Sequence, residues 1–408
     1  RQSTMSSVML LVTLCIAQVL AMTSFANFAA LLPDFVVLWD LSNTEAGWIG
    51  GIYYAGYVLA VPVLVGMTDS VDAKRIYVFS IGVGVVASLG YAVLAEGFWS
   101  AMVFRFLSGI ALAGTYMPGL QILNDRLSEH NRQRTLPWYL SAFSLGTAAS
   151  FYMTGWFGAR FEWPLVFLLA GIAQLACLIL VLTTVSPRKP NVLKSSDRHP
   201  LDFRPVFTNR TAVAYIWGYT GHTYELFAYR AWIVAFLVFA AAASGTAIGS
   251  EAIAGYAAVF SLVGMPMSVL GAHLALRHDR QQTVTVVMGV SIIAGCSLGF
   301  LGAAPFMVVV LIAGLYSGFI MGDSAALTGG TVAAARAGER GATLAMHSVW
   351  GFSGGFLGPL VVGVVLDLAG GRQSIQGWGM AFIAMAAGSA LALVGLRGLL
   401  SRVRPAAR

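Results

Sequence analysis

The sequence predicts an all-α membrane protein with twelve transmembrane helices in two pseudo-symmetric six-helix bundles. Three observations predict it: the composition, the number of long apolar runs, and one hydrophilic segment near the middle of the chain. Of 408 residues, 58% are hydrophobic and only 10% charged, with a mean hydropathy of +0.78. A soluble domain carries about 25% charged residues, so this composition excludes a soluble enzyme, a disordered chain and a nucleic-acid binder. The net charge of +7 is therefore read as orientation, because basic residues of membrane proteins collect in cytoplasmic loops.

A helix needs about 20 apolar residues to cross the hydrocarbon core. Twelve runs meet that requirement, at 8–32, 46–65, 76–94, 98–123, 136–158, 164–184, 212–239, 252–276, 283–302, 306–328, 344–366 and 378–396. The first is longer than a signal-peptide core and has no small-residue cleavage pattern before the next span, so it is expected to be retained as the first helix. Ser42 and Glu45, three residues apart, have capping-box spacing and start the second helix firmly. The ninth and tenth runs are split at Gly302, Ala303, Ala304 and Pro305.

Placing the N-terminus in the cytoplasm leaves all but four of the 24 Lys and Arg residues on that side. Arg160 and Arg372 fall outside, and Arg105 and Arg230 fall within spans. Both termini are then cytoplasmic. The one long hydrophilic segment, 185–210, carries Arg188, Lys189, Lys194, Arg198, Arg204 and Arg210. It divides the chain into an N-terminal bundle (1–184), a cytoplasmic linker (185–210) and a C-terminal bundle (211–408). An internal repeat agrees: Ser108 and Gly109 match Ser317 and Gly318, and Phe143, Ser144 and Gly146 match Phe352, Ser353 and Gly355 at the same offset. Cys15, Cys177 and Cys296 lie apart in apolar runs, so neither a disulfide framework nor a zinc site is expected.

Asp69, Lys74 and Arg75 join the second and third helices in a loop that resembles the signature loop of the major facilitator superfamily. The loop departs from that signature at Val65, Ser70, Asp72 and Ala73. Arg105 through Gly109 resembles that superfamily's R-x-x-x-G pattern, and Gly354 through Pro359 its G-x-x-x-G-P pattern. The resemblance implies the superfamily's fold, with the first, fourth, seventh and tenth helices lining a central cavity. It also implies a gating role for Asp69, Lys74 and Arg75, with Asp69 latching onto cationic groups or a helix N-terminus of the facing half. Read without it, the same loop is a solvated turn that fixes topology. The eleventh-helix glycines are expected to serve close packing.

Four ionisable residues other than histidine stay inside spans: Arg105, Glu225, Arg230 and Asp323. Burying such a group costs about 2.5 to 3.5 kcal/mol on insertion scales, so each needs a partner or a wet cavity. All four fall on the helices that the resemblance places around the cavity. Glu225 and Asp323, with Arg105, are the expected proton-coupling set. Arg230, His222, Tyr219, Tyr116, Tyr53, Gln18 and Asn27 are the expected substrate-binding set. Thr23 and Asn27, four residues apart, are expected to share a helix face. The bland alternatives are internal salt bridges, a structural histidine and packing aromatics.

The function this supports is secondary active transport of a small organic solute, an organic anion favoured by the two arginines, driven by protons through alternating access. The alternatives are a multidrug exporter, an uncoupled facilitator, and a transporter-like sensor or assembly factor. The drug-exporter pattern on the fifth helix is missing, since Ser150 and Phe151 follow Gly146. No enzymatic activity, metal or cofactor is expected. The expected partners are substrate, protons and the lipid bilayer, with no nucleic acid, for a monomer in a bacterial inner (plasma) membrane.

Overall fold

The computed structural model describes residues 6–188, 204–336 and 339–402. Among them all regular elements are helices. They run α1 (Ser7–Ala21), α2 (Asn27–Ala30), α3 (Leu32–Leu38), α4 (Asn43–Gly66), α5 (Ala73–Leu94), α6 (Phe98–Arg126), α7 (Glu129–Gly158), α8 (Trp163–Thr184), α9 (Arg204–Phe207), α10 (Arg210–Ala243), α11 (Ser250–Arg277), α12 (Arg280–Leu298), α13 (Phe306–Gly322), α14 (Ser324–Ala334), α15 (Arg340–Leu368) and α16 (Ile375–Ser401). Ten helices among the described residues are long and apolar enough to cross a membrane. With the shorter apolar first span and the long α7, they form the twelve-helix, two-bundle architecture. Several helices overrun their apolar runs by a turn or more, because hydropathy marks the membrane-embedded stretch and not the helix end. The linker residues Lys189, Lys194 and Arg198 lie outside the described residues.

Two spans are broken where the sequence predicts continuity. The first leaves the helix after Ala21, resumes as α2 at Asn27, and continues in α3 beyond the predicted end. Unwound backbone survives in a membrane only where protein groups satisfy it, and neighbouring spans do so here. Ala26 N–H donates to Ser150 Oγ (2.9 Å), and that hydroxyl donates to the Thr23 carbonyl (2.8 Å). Gln174 Nε2 donates to the Ala21 carbonyl at 3.1 Å. The break removes the helix face that Thr23 and Asn27 were expected to share. The tenth span breaks at Asp323, which ends α13 and precedes α14.

The two bundles meet chiefly where α4 crosses α15 and where α7 crosses α11, towards the end away from the linker. Gly51 lies against the Phe356 carbonyl, and Gly363 against the Asn43 carbonyl. A Cβ at either would collide with backbone, so close approach explains these glycines. Trp48 rests on Phe356, ring centres 5.6 Å apart. At the far end, Asp367 of α15 accepts hydrogen bonds from Asn43 and Thr44 of α4. Arg160 pairs with Glu251 across the halves at 2.8 Å. Nearer the middle, Tyr57 stacks on Phe352 at 4.0 Å, and its hydroxyl meets Ser348 Oγ. These polar contacts between the bundles, found among the described residues, lie from mid-span to the far end.

Candidate functional site

A pocket opens at mid-span between the bundles. Its walls are Phe25 and Phe28 of the broken first span, Tyr54 of α4, Phe151 of α7, and two arginines, Arg105 of α6 and Arg230 of α10. Phe25 lies in the unwound segment and Phe28 in α2, so the broken stretch forms one wall of this pocket. No carboxylate lines it among the described residues.

The two arginines are held differently. Arg105 is buried, with its guanidinium 4.5 Å from the Tyr53 ring centre and 6.0 Å from that of Phe28. Its Nη1 donates to the Ser24 and Phe25 carbonyls (3.4 and 3.3 Å), two oxygens freed by the unwound segment. Its Nε is buried without a partner. Arg230 is equally buried and stands 5.8 Å from the Phe227 ring centre. Among the described residues no hydrogen bond or ion pair reaches its guanidinium. A buried guanidinium with unfilled donors, in a pocket without acids, suits an anion with planar oxygens.

The two acids do not share this pocket, which corrects the expectation that all four membrane charges line one cavity. Glu225 faces into the second bundle. Ser291 of α12 and Tyr316 of α13 donate to its Oε1 (3.1 and 2.7 Å), and Ser389 of α16 donates to its Oε2. Asp323 Oδ1 lies 2.7 Å from His222 Nδ1, both fully buried. His222 stacks with Tyr219, and Tyr219 with His347 at 3.9 Å. His347 in turn meets Thr328 and Thr331. His222 and Glu225 of α10 therefore serve two separate networks within the second bundle.

Other expected substrate residues fall into supporting places. Tyr53 carries the Arg105 guanidinium on its ring. Asn27 accepts from Thr154 Oγ1 at 2.7 Å and so fixes the start of α2. Gln18 accepts from Tyr139, whose ring stacks with Tyr116, in a cluster inside the first bundle. Neither Gln18, Tyr116 nor Tyr219 lines the pocket. In the signature loop, Lys74 Nζ donates to the Leu182 carbonyl of its own bundle, and Arg75 is exposed. The side chain of Asp69 lies outside the described residues. The anchor of that loop is Asp72, which accepts from Arg126 Nη2 (3.2 Å) and the Arg188 backbone N–H (2.8 Å). Eleventh-span glycines pack as expected: Gly354 and Gly358 lie against the Thr220 and Tyr224 carbonyls of α10.

Sequence reasoning missed Phe25, Gln174, Ser291, Tyr316, His347, Asp367 and Ser389. Most are single hydroxyls or rings in apolar runs, and no spacing distinguishes them from packing residues. Asp367 sits just past the predicted end of the eleventh run, where a charge reads as a boundary.

The family model described as Major Facilitator Superfamily matches residues 14–359. The human protein spinster homolog 1 is 23% identical over 75% of this chain, and the match spans 60% of that protein's length. An uncharacterized transporter of this type from Bacillus subtilis, YwoD, is 26% identical over 32% of this chain and 28% of its own. Among solved structures, a bacterial homolog of human spinster, inward-facing and occupied, superposes with a TM-score of 0.77 at 15% identity, covering 96% of each chain. The nucleoside transporter NupG gives 0.74 at 16% identity, covering 96% of this chain and 99% of its own.

Proposed function

Because the chain belongs to the major facilitator superfamily, we propose that this integral membrane protein carries a small organic anion by alternating access, coupled to protons. The observation that carries the anion is Arg230, buried with no hydrogen-bond or ion-pair partner among the described residues and facing one pocket with Arg105. A cation in the membrane interior is costly unless compensated, and a bound carboxylate or phosphate compensates both arginines at once. The aromatic walls suit an apolar body behind the anionic group.

Protons are assigned to Glu225 and to the Asp323–His222 pair. Each is buried in the second bundle and held by side chains that can rearrange when a proton arrives. Arg105 joins the coupling set by sensing whether the pocket is filled. The moving bodies are residues 1–184 and 211–408, joined by 185–210, with Asp69, Lys74 and Arg75 gating the linker side. Both termini face the cytoplasm of a bacterial cell, and the protein works as a monomer in the inner membrane.

The test is purified protein in proteoliposomes with a pH-sensitive dye inside, screened against anionic, cationic and neutral solutes. An imposed pH gradient is expected to drive accumulation of anions. Equal accumulation of cations would overturn the anion reading, and anion flux indifferent to the gradient would leave an uncoupled facilitator.

A further inference from the structure

The first N–H groups of an α-helix have no partner inside the helix and must find one elsewhere. At α4 each has one. Glu45 N–H donates to Ser42 Oγ, and the Glu45 carboxylate returns a bond to Ser42 N–H, completing the capping box. Ala46 N–H donates to the Ser42 carbonyl. The two donors this arrangement leaves over, Asn43 and Thr44 N–H, go to the other bundle. They donate to Asp367 Oδ1 and Oδ2 of α15, at 3.1 and 2.8 Å. Asn43 Nδ2 and Thr44 Oγ1 donate to the same two oxygens at 2.7 and 2.6 Å. Each carboxylate oxygen thus takes one backbone and one side-chain donor, at the end of a helix whose dipole favours negative charge.

Two features make this a contact that can open. Asp367 is exposed, so water replaces its partners when the helices part and no buried charge is stranded. Gly363, one turn earlier on α15, has the Asn43 carbonyl where a Cβ would stand, so Asp367 reaches the α4 terminus only when the two backbones are in close register. The chemistry that the family resemblance implies for Asp69 at one end of the bundle is thus present with Asp367 at the other.

We propose that Asp367 is the latch that shuts the pocket on the side away from the linker, docking on the α4 N-terminus and releasing once per transport cycle. The proposal rests on the alternating-access reading above. The exposed Arg160–Glu251 pair supports the same closure between the turn after α7 and the start of α11.

The test uses the full chain in oriented vesicles, with Cys15, Cys177 and Cys296 replaced by alanine and Ala29→Cys as a reporter in the pocket wall. A membrane-impermeant maleimide is applied from the far side. Asp367→Asn, which loses the charge and one acceptor, is expected to raise the labelling rate about tenfold. Thr44→Val keeps Asp367 and both backbone donors and is expected to raise it about two- to threefold. It also keeps the test alive should Asp367→Asn fail to fold. Parental far-side labelling in both variants, in a protein that still transports, overturns the latch and leaves the transport reading standing. Neither transport nor labelling from either side in the parent overturns both.

Discussion

The two bundles bury charge by opposite means. In the first, Arg105 is held by backbone, because the first span unwinds and offers it the Ser24 and Phe25 carbonyls. In the second, the helices stay wound around Glu225 and side chains do the work, with three hydroxyls converging on one carboxylate. Asp323 at its helix break has His222. Arg230 has neither arrangement, although it is buried to the same degree as Arg105. The difference is what the proposed anion site rests on: among the described residues the other membrane charges have fixed partners in the fold, and Arg230 has none.

The largest expected effect breaks or confirms that contrast directly. Arg230→Gln should reduce anion transport about 100-fold, the loss of about 2 to 3 kcal/mol of charge-assisted hydrogen bonding, while the melting temperature in detergent holds. Arg230→Lys should weaken binding by about 1 to 3 kcal/mol, since an ammonium cannot form paired bonds to a planar anion. A variant that binds normally but melts early would make Arg230 a structural tie.

Next comes Glu225→Gln, which keeps the size of the side chain inside its cage but cannot take up the proton. Accumulation driven by a pH gradient should vanish while exchange at equal pH continues, as measured with labelled substrate. Full accumulation would make the cage structural. Arg105→Met should do the reverse of Arg230→Gln on stability: two carbonyls of the unwound span lose their donor, and thermal unfolding should show a loss of about 1 to 3 kcal/mol. The smallest effect is expected at the exposed Arg160–Glu251 pair. Glu251→Gln should change stability by less than about 1 kcal/mol, with transport close to that of the parent.

Much of the fold was legible because a membrane imposes a length and a polarity on each span. The capping box at Ser42 and Glu45 stands where its spacing placed it. Arg230 was legible as a residue without an intrahelical partner, since Glu225 precedes it by five positions and points away around the helix. The break in the first span was not. Met22 to Ala26 contains neither glycine nor proline, and hydropathy measures side chains while the break is sustained by Ser150, Gln174 and Arg105 from distant spans. The same limit hid the cage around Glu225, whose hydroxyls come from α12, α13 and α16, and the seat of Asp367, which exists only where two bundles touch.

The contact of Trp48 with Phe356 offers an optical readout of the proposed motion. Trp48 belongs to α4 and Phe356 to α15, so under the proposed alternating access its surroundings change when the bundles part. Trp39 and Trp163 are packed against each other and against Phe35 within the first bundle, and they travel together. A chain retaining Trp48 alone among its tryptophans should shift its emission to the red as water reaches the ring and recover it on closure. A chain retaining only Trp39 should keep a constant colour through the same cycle.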